Sequence, residues 1–341
     1  MELPRQGRPA PRAQRHERGG PMVPALVVAG VGALPQRQRA RGFAVVSRTR
    51  KSVLVLRAGE RVTHETAGRP GLGFSDVDQN PMRAAMIAGM DATGRWPAVQ
   101  TLRSWERSRL RLRPGEHLLD VGCGTGDVLV GLAADVPLGR GVGVDASAEM
   151  LDEASRRARR AGVAVELVKG DAAKIEFPDG AFDACRSERT LQWLRDPDAA
   201  LRELVRLARP GGRVVVTDTD WRTFLVDHPD PDLAAKILAG LATTRGAGHS
   251  VGGRLLNLLR DAGAQQVEVA AATHTWTAWD PDRTAQPSGF VPLRAAAGGL
   301  VEAGHIGVED LDRFIALQED AARHDRLFMS LTMFSAAGVA P

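Results

Sequence analysis

Two cysteines, Cys123 and Cys185, are all that 341 residues contain. They are too few for a disulfide framework and lack the spacing of zinc ligands. No apolar run approaches the ~20 residues of a membrane-spanning helix, so no span is expected. Lysine is nearly missing, with 4 against 41 arginines. That bias marks a GC-rich gene, in which an over-extended start codon would explain an odd N-terminus; Met22 and Met82 are alternative starts. Excess charge is also scarcer than the formal +4 suggests. Residues 1–72 hold 14 Arg and Lys against 4 Glu, and the remainder holds 31 against 37 acidic residues. The part beyond residue 72 is therefore acidic, which argues against a nucleic-acid groove there.

What is present suits a globular core: 43% apolar and 25% charged residues. Residues 1–72 stand apart. They open on Arg, Pro and Gly punctuation, a composition that favours disorder. The stretch 22–34 looks vaguely like a signal-peptide core, but Pro and Gly interrupt it and no small-x-small cleavage site follows, so export is not expected and a cytoplasmic location is. Short apolar pieces at 43–46 and 53–56 read as strands of a hairpin.

From Gly73 the pattern becomes regular, and one domain is expected over 73–341. Residues 80–111 read as one or two helices, with Asn80 as cap, Pro81 in the first turn, and Met82, Met86 and Met90 on one core-facing side. Strands and helices then alternate. HLLDVG, RGVGVD, VAVELV, FDACRS and RVVVTD are apolar runs, separated by amphipathic helices over 148–160 and 196–209. Asp196 caps the second of these, Pro197 suits its first turn, and Pro210-Gly211-Gly212 stops it. Such alternation means an α/β fold with a doubly wound parallel sheet.

The informative segment is Leu118-Leu119-Asp120-Val121-Gly122-Cys123-Gly124-Thr125-Gly126-Asp127, placed where the first strand hands over to the first helix of the sheet. Glycine allows a tight turn and lets a ligand approach the backbone. The spacing G-x-G-x-G differs from the dinucleotide fingerprint, and the Lys-Ser/Thr of a P-loop is missing. The next strand ends at Asp145, which can accept hydrogen bonds from both hydroxyls of a ribose, and the third leads to Gly170-Asp171-Ala172, where a carboxylate can accept from an adenine amino group. Each Asp alone reads equally well as a cap or a solvated loop residue. All of them at the ends of successive strands point to a nucleoside site.

These residues resemble the class I S-adenosylmethionine-dependent methyltransferases, especially the small-molecule branch of ubiquinone and menaquinone biosynthesis. The matching pieces are LLDVGCGTGD at 118–127, GVDASAEML at 143–151, GDA at 170–172, FDACRSERTLQWL at 182–194 and RPGGRVVVTDTDW at 209–221. The resemblance implies a Rossmann-like sheet of order 3-2-1-4-5-7-6, with strand six at 265–269 extending towards Trp279 and an antiparallel strand seven at 326–334. It implies S-adenosylmethionine as cofactor. The site would comprise Asp120, Gly122, Gly124 and Gly126 at the methionine part, Asp145 with Ala146 and Met150 at the ribose, and Asp171 and Ala172 at the adenine. Arg186 and Ser187 would hold the methionine amino end and face the methyl group.

Methyl transfer asks the protein for alignment, desolvation and, in some cases, proton removal. The roof over the acceptor is expected from lid segments 80–111 and 222–262, with Arg189, Gln192, Trp193, Trp221 and Phe224 nearby. Glu188, His228 and His249 are the candidates for a general base. Asp218 and Asp220 form an acidic pair after strand five, but strand four ends in Arg186-Ser187, so no metal is expected. The chain has no tyrosine and lacks the Asn/Asp-Pro-Pro-Tyr/Phe loop of DNA base amino-methylation. The expected function is methylation of a small molecule, a specialised metabolite or quinone-like intermediate, by a protein that can be a homodimer. The alternatives are a non-methylating S-adenosylmethionine-binding member, or a macromolecular substrate.

Overall fold

The computed structural model describes residues 77–78, 83–287 and 293–341, all within the second of the chain's two units, Glu65–Pro341. The expectations for the tail, its boundary at 72/73, the strands at 43–46 and 53–56, and Asn80, Pro81 and Met82 lie outside the described residues.

Seven strands form one sheet: β1 (His117–Val121), β2 (Arg140–Asp145), β3 (Glu166–Lys169), β4 (Phe182–Glu188), β5 (Ala208–Asp227), β6 (Gln265–Trp276) and β7 (Phe328–Val339). Their order is β3-β2-β1-β4-β5-β7-β6, as the resemblance implied. The first five are parallel, and β7 runs antiparallel between β5 and β6. Leu119, Val142, Cys185 and Val214 are fully buried on one face of the sheet, Leu118, Ala184 and Val215 on the other. A sheet covered on both faces needs strands that are apolar throughout, which is how β1, β2 and β4 read.

Helices α1 (Arg83–Gly94) and α2 (Pro97–Leu110) precede the sheet. Then α3 (Asp127–Asp135) follows β1, α4 (Ala148–Ala161) follows β2, and α5 (Pro197–Leu207) links β4 to β5. Ser147 caps α4 by accepting the Met150 N–H, and Gly162 ends it in the left-handed region at φ 68°. Asp196 caps α5 through the Ala199 N–H, with Pro197 in its first turn. After β5 come α6 (Pro231–Arg245) and α7 (Leu255–Asp261), and between β6 and β7 lie α8 (Leu293–Glu302) and α9 (Val308–Arg323).

Three boundaries differ from the sequence reading. Helix α5 stops at Leu207, because Ala208 already pairs with Phe182 of β4. Strand β7 begins two residues later than expected and continues to Val339, in register with Arg213. Strand β5 is twenty residues long. It runs on past the end of β4 as far as Asp227, paired to β7 with one irregularity between Asp220 and Leu225. This extension carries an antiparallel ribbon beyond the carboxyl ends of β1 and β4, where ligands of such sheets bind.

Candidate functional site

A cavity of about 1760 Å³ opens over the carboxyl ends of the strands. One end is built by the turns after β1, β2 and β3. Gly122, Gly124 and Gly126 all adopt positive φ (69°, 51° and 73°), the region glycine enters without strain. Gly122 and Gly124 line the cavity. Gly126 serves packing instead: a Cβ there would stand 2.9 Å from that of Ala154, so it lets α3 approach α4.

Asp145, Ala146, Met150, Asp171 and Ala172 line the same end. Asp145 accepts the Gly124 N–H at 2.8 Å on one oxygen and the Ser147 N–H at 2.9 Å on the other. A carboxylate oxygen has two lone pairs, so each keeps one for a ligand, a pair of adjacent acceptors suited to a cis-diol. Burial pushes the Asp145 carboxyl above its ordinary value, against the pull of those backbone donors. Asp171 is exposed, and its carboxylate accepts the Ala173 N–H within its turn. Asp78, from the segment before α1, accepts the Ala148 and Glu149 N–H groups and the Ser147 hydroxyl, tying that segment to the start of α4.

Three residues expected at the methionine part lie elsewhere. Arg186 stands directly across the sheet from Asp120 and is 1% exposed. Its guanidinium bonds Asp120 at 2.7 Å, Glu188 at 3.1 Å and both oxygens of Glu106. A buried cation needs such partners, and three carboxylates take four of its five N–H donors. Asp120 is equally buried, its carboxyl pushed up to about 7, chiefly by loss of solvent. Ser187 donates to the Val121 carbonyl at 2.8 Å. These side chains fasten β4 to β1 and α2 beneath the cavity.

Glu188 does line the cavity, but Arg103, Arg186 and Arg189 all contact its carboxylate within 3.1 Å. Those cations hold it well below the usual carboxylate range despite burial, which makes it a poor proton acceptor. The two histidines are not in the cavity wall. His228 is buried against Phe314, with one ring nitrogen 3.0 Å from the Phe314 carbonyl and the other at the Asp230 backbone. His249 does not line the cavity either.

The other end is aromatic and apolar. Trp193 and Trp221 line it, with Arg189 and Gln192. The Trp221 indole donates to the Gln192 side-chain oxygen at 2.6 Å. Phe224 belongs to a core cluster with Trp276 and Met329 instead. Of segment 80–111, α1 and Trp96 line the cavity, and the Met86–Met90 side of α1 faces it, where a core face was expected. None of the described side chains of segment 222–262 lines the wall. That segment's place is taken by Trp279 and residues 284–287, by α9, and by Met329, Leu331 and Met333 of β7. These β7 residues alternate along the strand, a pattern that reads as core in sequence. Nothing in a period of two distinguishes a core face from a cavity wall.

The acidic pair expected after strand five lies within β5 and is occupied locally. Asp218 accepts the Thr219 N–H at 2.8 Å, and Asp220 pairs with Arg222 and the Gly253 N–H. Among the described residues, no helix is long and apolar enough to cross a membrane.

Residues 119–216 match the family model of the methyltransferase domain. A protein of transposon TN4556 from Streptomyces fradiae is 34% identical over 205 residues, covering 60% of this chain and 58% of that protein. A demethylmenaquinone methyltransferase of Thermus thermophilus is 37% identical over 117 residues, covering 33% of this chain and 53% of the enzyme. The chain thus spans about half the length of the curated relatives it matches. Among solved structures, a Haemonchus contortus phosphoethanolamine N-methyltransferase 2 in complex with S-adenosyl-L-methionine superposes with TM-score 0.50 at 18% identity, over 80% of this chain and 61% of that one. That likeness concerns the fold.

Proposed function

We propose that this chain, whose residues 119–216 match the methyltransferase-domain model, is a class I S-adenosylmethionine-dependent methyltransferase that binds its cofactor at the glycine-loop end of the cavity and methylates a small molecule held at the tryptophan end. The observation that carries this reading is the continuity of one cavity from Asp145 to Trp221 and Met329. Pockets for one drug-sized ligand run to about 300–1,000 Å³, so this one has room for a cofactor and an acceptor together.

The residues fit the cofactor. Asp145 offers its two remaining lone pairs to the ribose hydroxyls, Asp171 lies at the adenine end, and Gly122 and Gly124 let the methionine part approach the backbone. Bound there, S-adenosylmethionine supplies an electrophilic methyl group. The chain's share is alignment and exclusion of water by Met86, Met90 and the tryptophans, which favours a step that destroys the sulfonium charge. With Glu188 held ionised by three arginines and both histidines outside the wall, none of the three expected bases is placed to take a proton. We therefore infer an acceptor that is nucleophilic by itself, such as an electron-rich ring, its proton passing to water. The demethylmenaquinone methyltransferases among the relatives make a reduced quinone-like compound the first candidate. Two buried free thiols, Cys123 and Cys185, suit the reducing cytoplasm.

The test is incubation of the full chain with S-adenosylmethionine and a panel of reduced naphthoquinones and hydroxylated aromatics, followed by mass spectrometry. Equimolar S-adenosylhomocysteine and a product carrying one added methyl group are expected. Binding of neither S-adenosylmethionine nor S-adenosylhomocysteine would overturn the reading.

A further inference from the structure

Helix α9 presents Gln318 in the apolar end of the cavity wall, with Ile315 and Glu319 on the same helix. Gln318 is 3% exposed. Neither its amide nitrogen nor its amide oxygen has a hydrogen-bond partner. Gln192, buried in the same wall, shows the ordinary arrangement: its oxygen accepts from Trp221 and its nitrogen donates to the Arg189 carbonyl. A buried amide without partners is costly, and a leucine or methionine would fill the same space at no such cost. The β7 side chains in that wall, Met329, Leu331 and Met333, are of that apolar kind. An amide kept at this cost calls for a partner that arrives from the cavity. Its last torsions are soft, so a small rotation turns it towards a ligand without moving α9.

We propose that Gln318 orients the methyl acceptor, and that the acceptor is a largely apolar ring compound bearing a hydroxyl or carbonyl oxygen. This rests on reading the cavity as a cofactor and acceptor site. The amide carries donors and an acceptor, so it complements a hydroxyl, which both gives and takes a hydrogen bond, or a carbonyl, which takes one. The surroundings select the rest of the ligand. Trp193, Trp221 and Trp279 offer flat apolar faces, and the nearby charges of Glu188 and Arg189 are spent on each other.

Tryptophan fluorescence tests this on the full chain with a matched pair of probes, 2-naphthol and naphthalene, which share a ring body and differ by one oxygen. Titrations are run with and without saturating S-adenosylhomocysteine. The wild type is expected to bind 2-naphthol about 5-fold more tightly than naphthalene, the usual worth of one neutral hydrogen bond. Gln318→Leu is expected to bind both probes equally, to keep its S-adenosylhomocysteine affinity within about twofold, and to melt about 2–4 °C higher because a stranded amide is gone. Gln318→Met serves as the second, volume-matched variant. A wild type without preference for the oxygen, quenching by neither probe, or the same preference in both variants would overturn the proposal. Failure of S-adenosylhomocysteine to bind counts against the cofactor reading alone, because the naphthol preference and its loss are also read in its absence.

Discussion

The Asp145 carboxylate holds the N–H of Gly124 at 2.8 Å, so the acid at the end of the second strand clamps the glycine loop at the end of the first. Sequence reasoning gave these residues separate duties towards a ligand. The structure joins them: the group proposed to receive the ribose also fixes the loop proposed to receive the rest.

The two loop glycines are expected to differ in tolerance. Alanine at 122 would place its Cβ 2.1 Å from the Thr190 hydroxyl, on a stiff β-branched side chain, whereas at 124 it would meet only the terminal methyl of Met90 at 2.7 Å. Both also pay ~1–2 kcal/mol for a side chain at positive φ. Urea unfolding of Gly122→Ala should show a loss of about 3 kcal/mol or more, and of Gly124→Ala about 1–2 kcal/mol. Equal losses would contradict the packing described.

Arg186 is expected to act on stability. Arg186→Met strands Glu106, Asp120 and Glu188 together without the guanidinium they share. Removing one partner of a buried pair costs ~3–5 kcal/mol, so thermal melts should fall by many degrees. An unchanged melting temperature with weakened cofactor binding would restore Arg186 to the ligand site.

Neither histidine is expected to carry the reaction. His228→Ala should lower stability by loss of its stacking on Phe314 and its carbonyl bond, and leave the pH profile of turnover between pH 6 and 9 as in the wild type. The same profile is expected for His249→Ala. A profile that loses its acidic limb in either variant would make that histidine the base.

Asp218 is fully buried, and loss of solvent pushes its carboxyl up to about 7. The unfolded chain gives up this proton near the ordinary value of ~3.9, the folded chain only near 7. Between these values the folded state holds a proton that the unfolded state has lost. This group's contribution to stability therefore declines as pH rises from about 4 to 7 and levels off above, by ~1.4 kcal/mol per pH unit. The stability of the wild type relative to Asp218→Asn should fall over that range. A difference independent of pH between 5 and 8 would show that Asp218 is ionised throughout.

Strand order and the glycine-loop end of the cavity were legible because they are written in local signals. Glycines at fixed spacing, an acid closing each of two apolar runs, and a capped, Pro-initiated α5 all act within a few residues of where they are read. The acceptor end was not, because it depends on the length of β5 and on what the ribbon brings back. Met86, Met90, Met329 and Leu331 look alike in sequence whether they pack on protein or face a ligand. Arg186 misled for a related reason: its position at the end of β4 was right for a ligand, but the three carboxylates that claim it come from α2, β1 and β4, and only the folded sheet brings them together.

Calorimetric titration of S-adenosylhomocysteine into the full chain, its Asp145→Ala variant and its Asp171→Ala variant tests the account most directly. The wild type should bind one equivalent. Asp145→Ala loses an acceptor shared by two hydroxyls together with the clamp on Gly124, and should bind on the order of 10²-fold more weakly. Asp171→Ala, exposed and restrained only within its own turn, should lose less. Equal binding by the wild type and Asp145→Ala, or no binding by the wild type, would contradict the account.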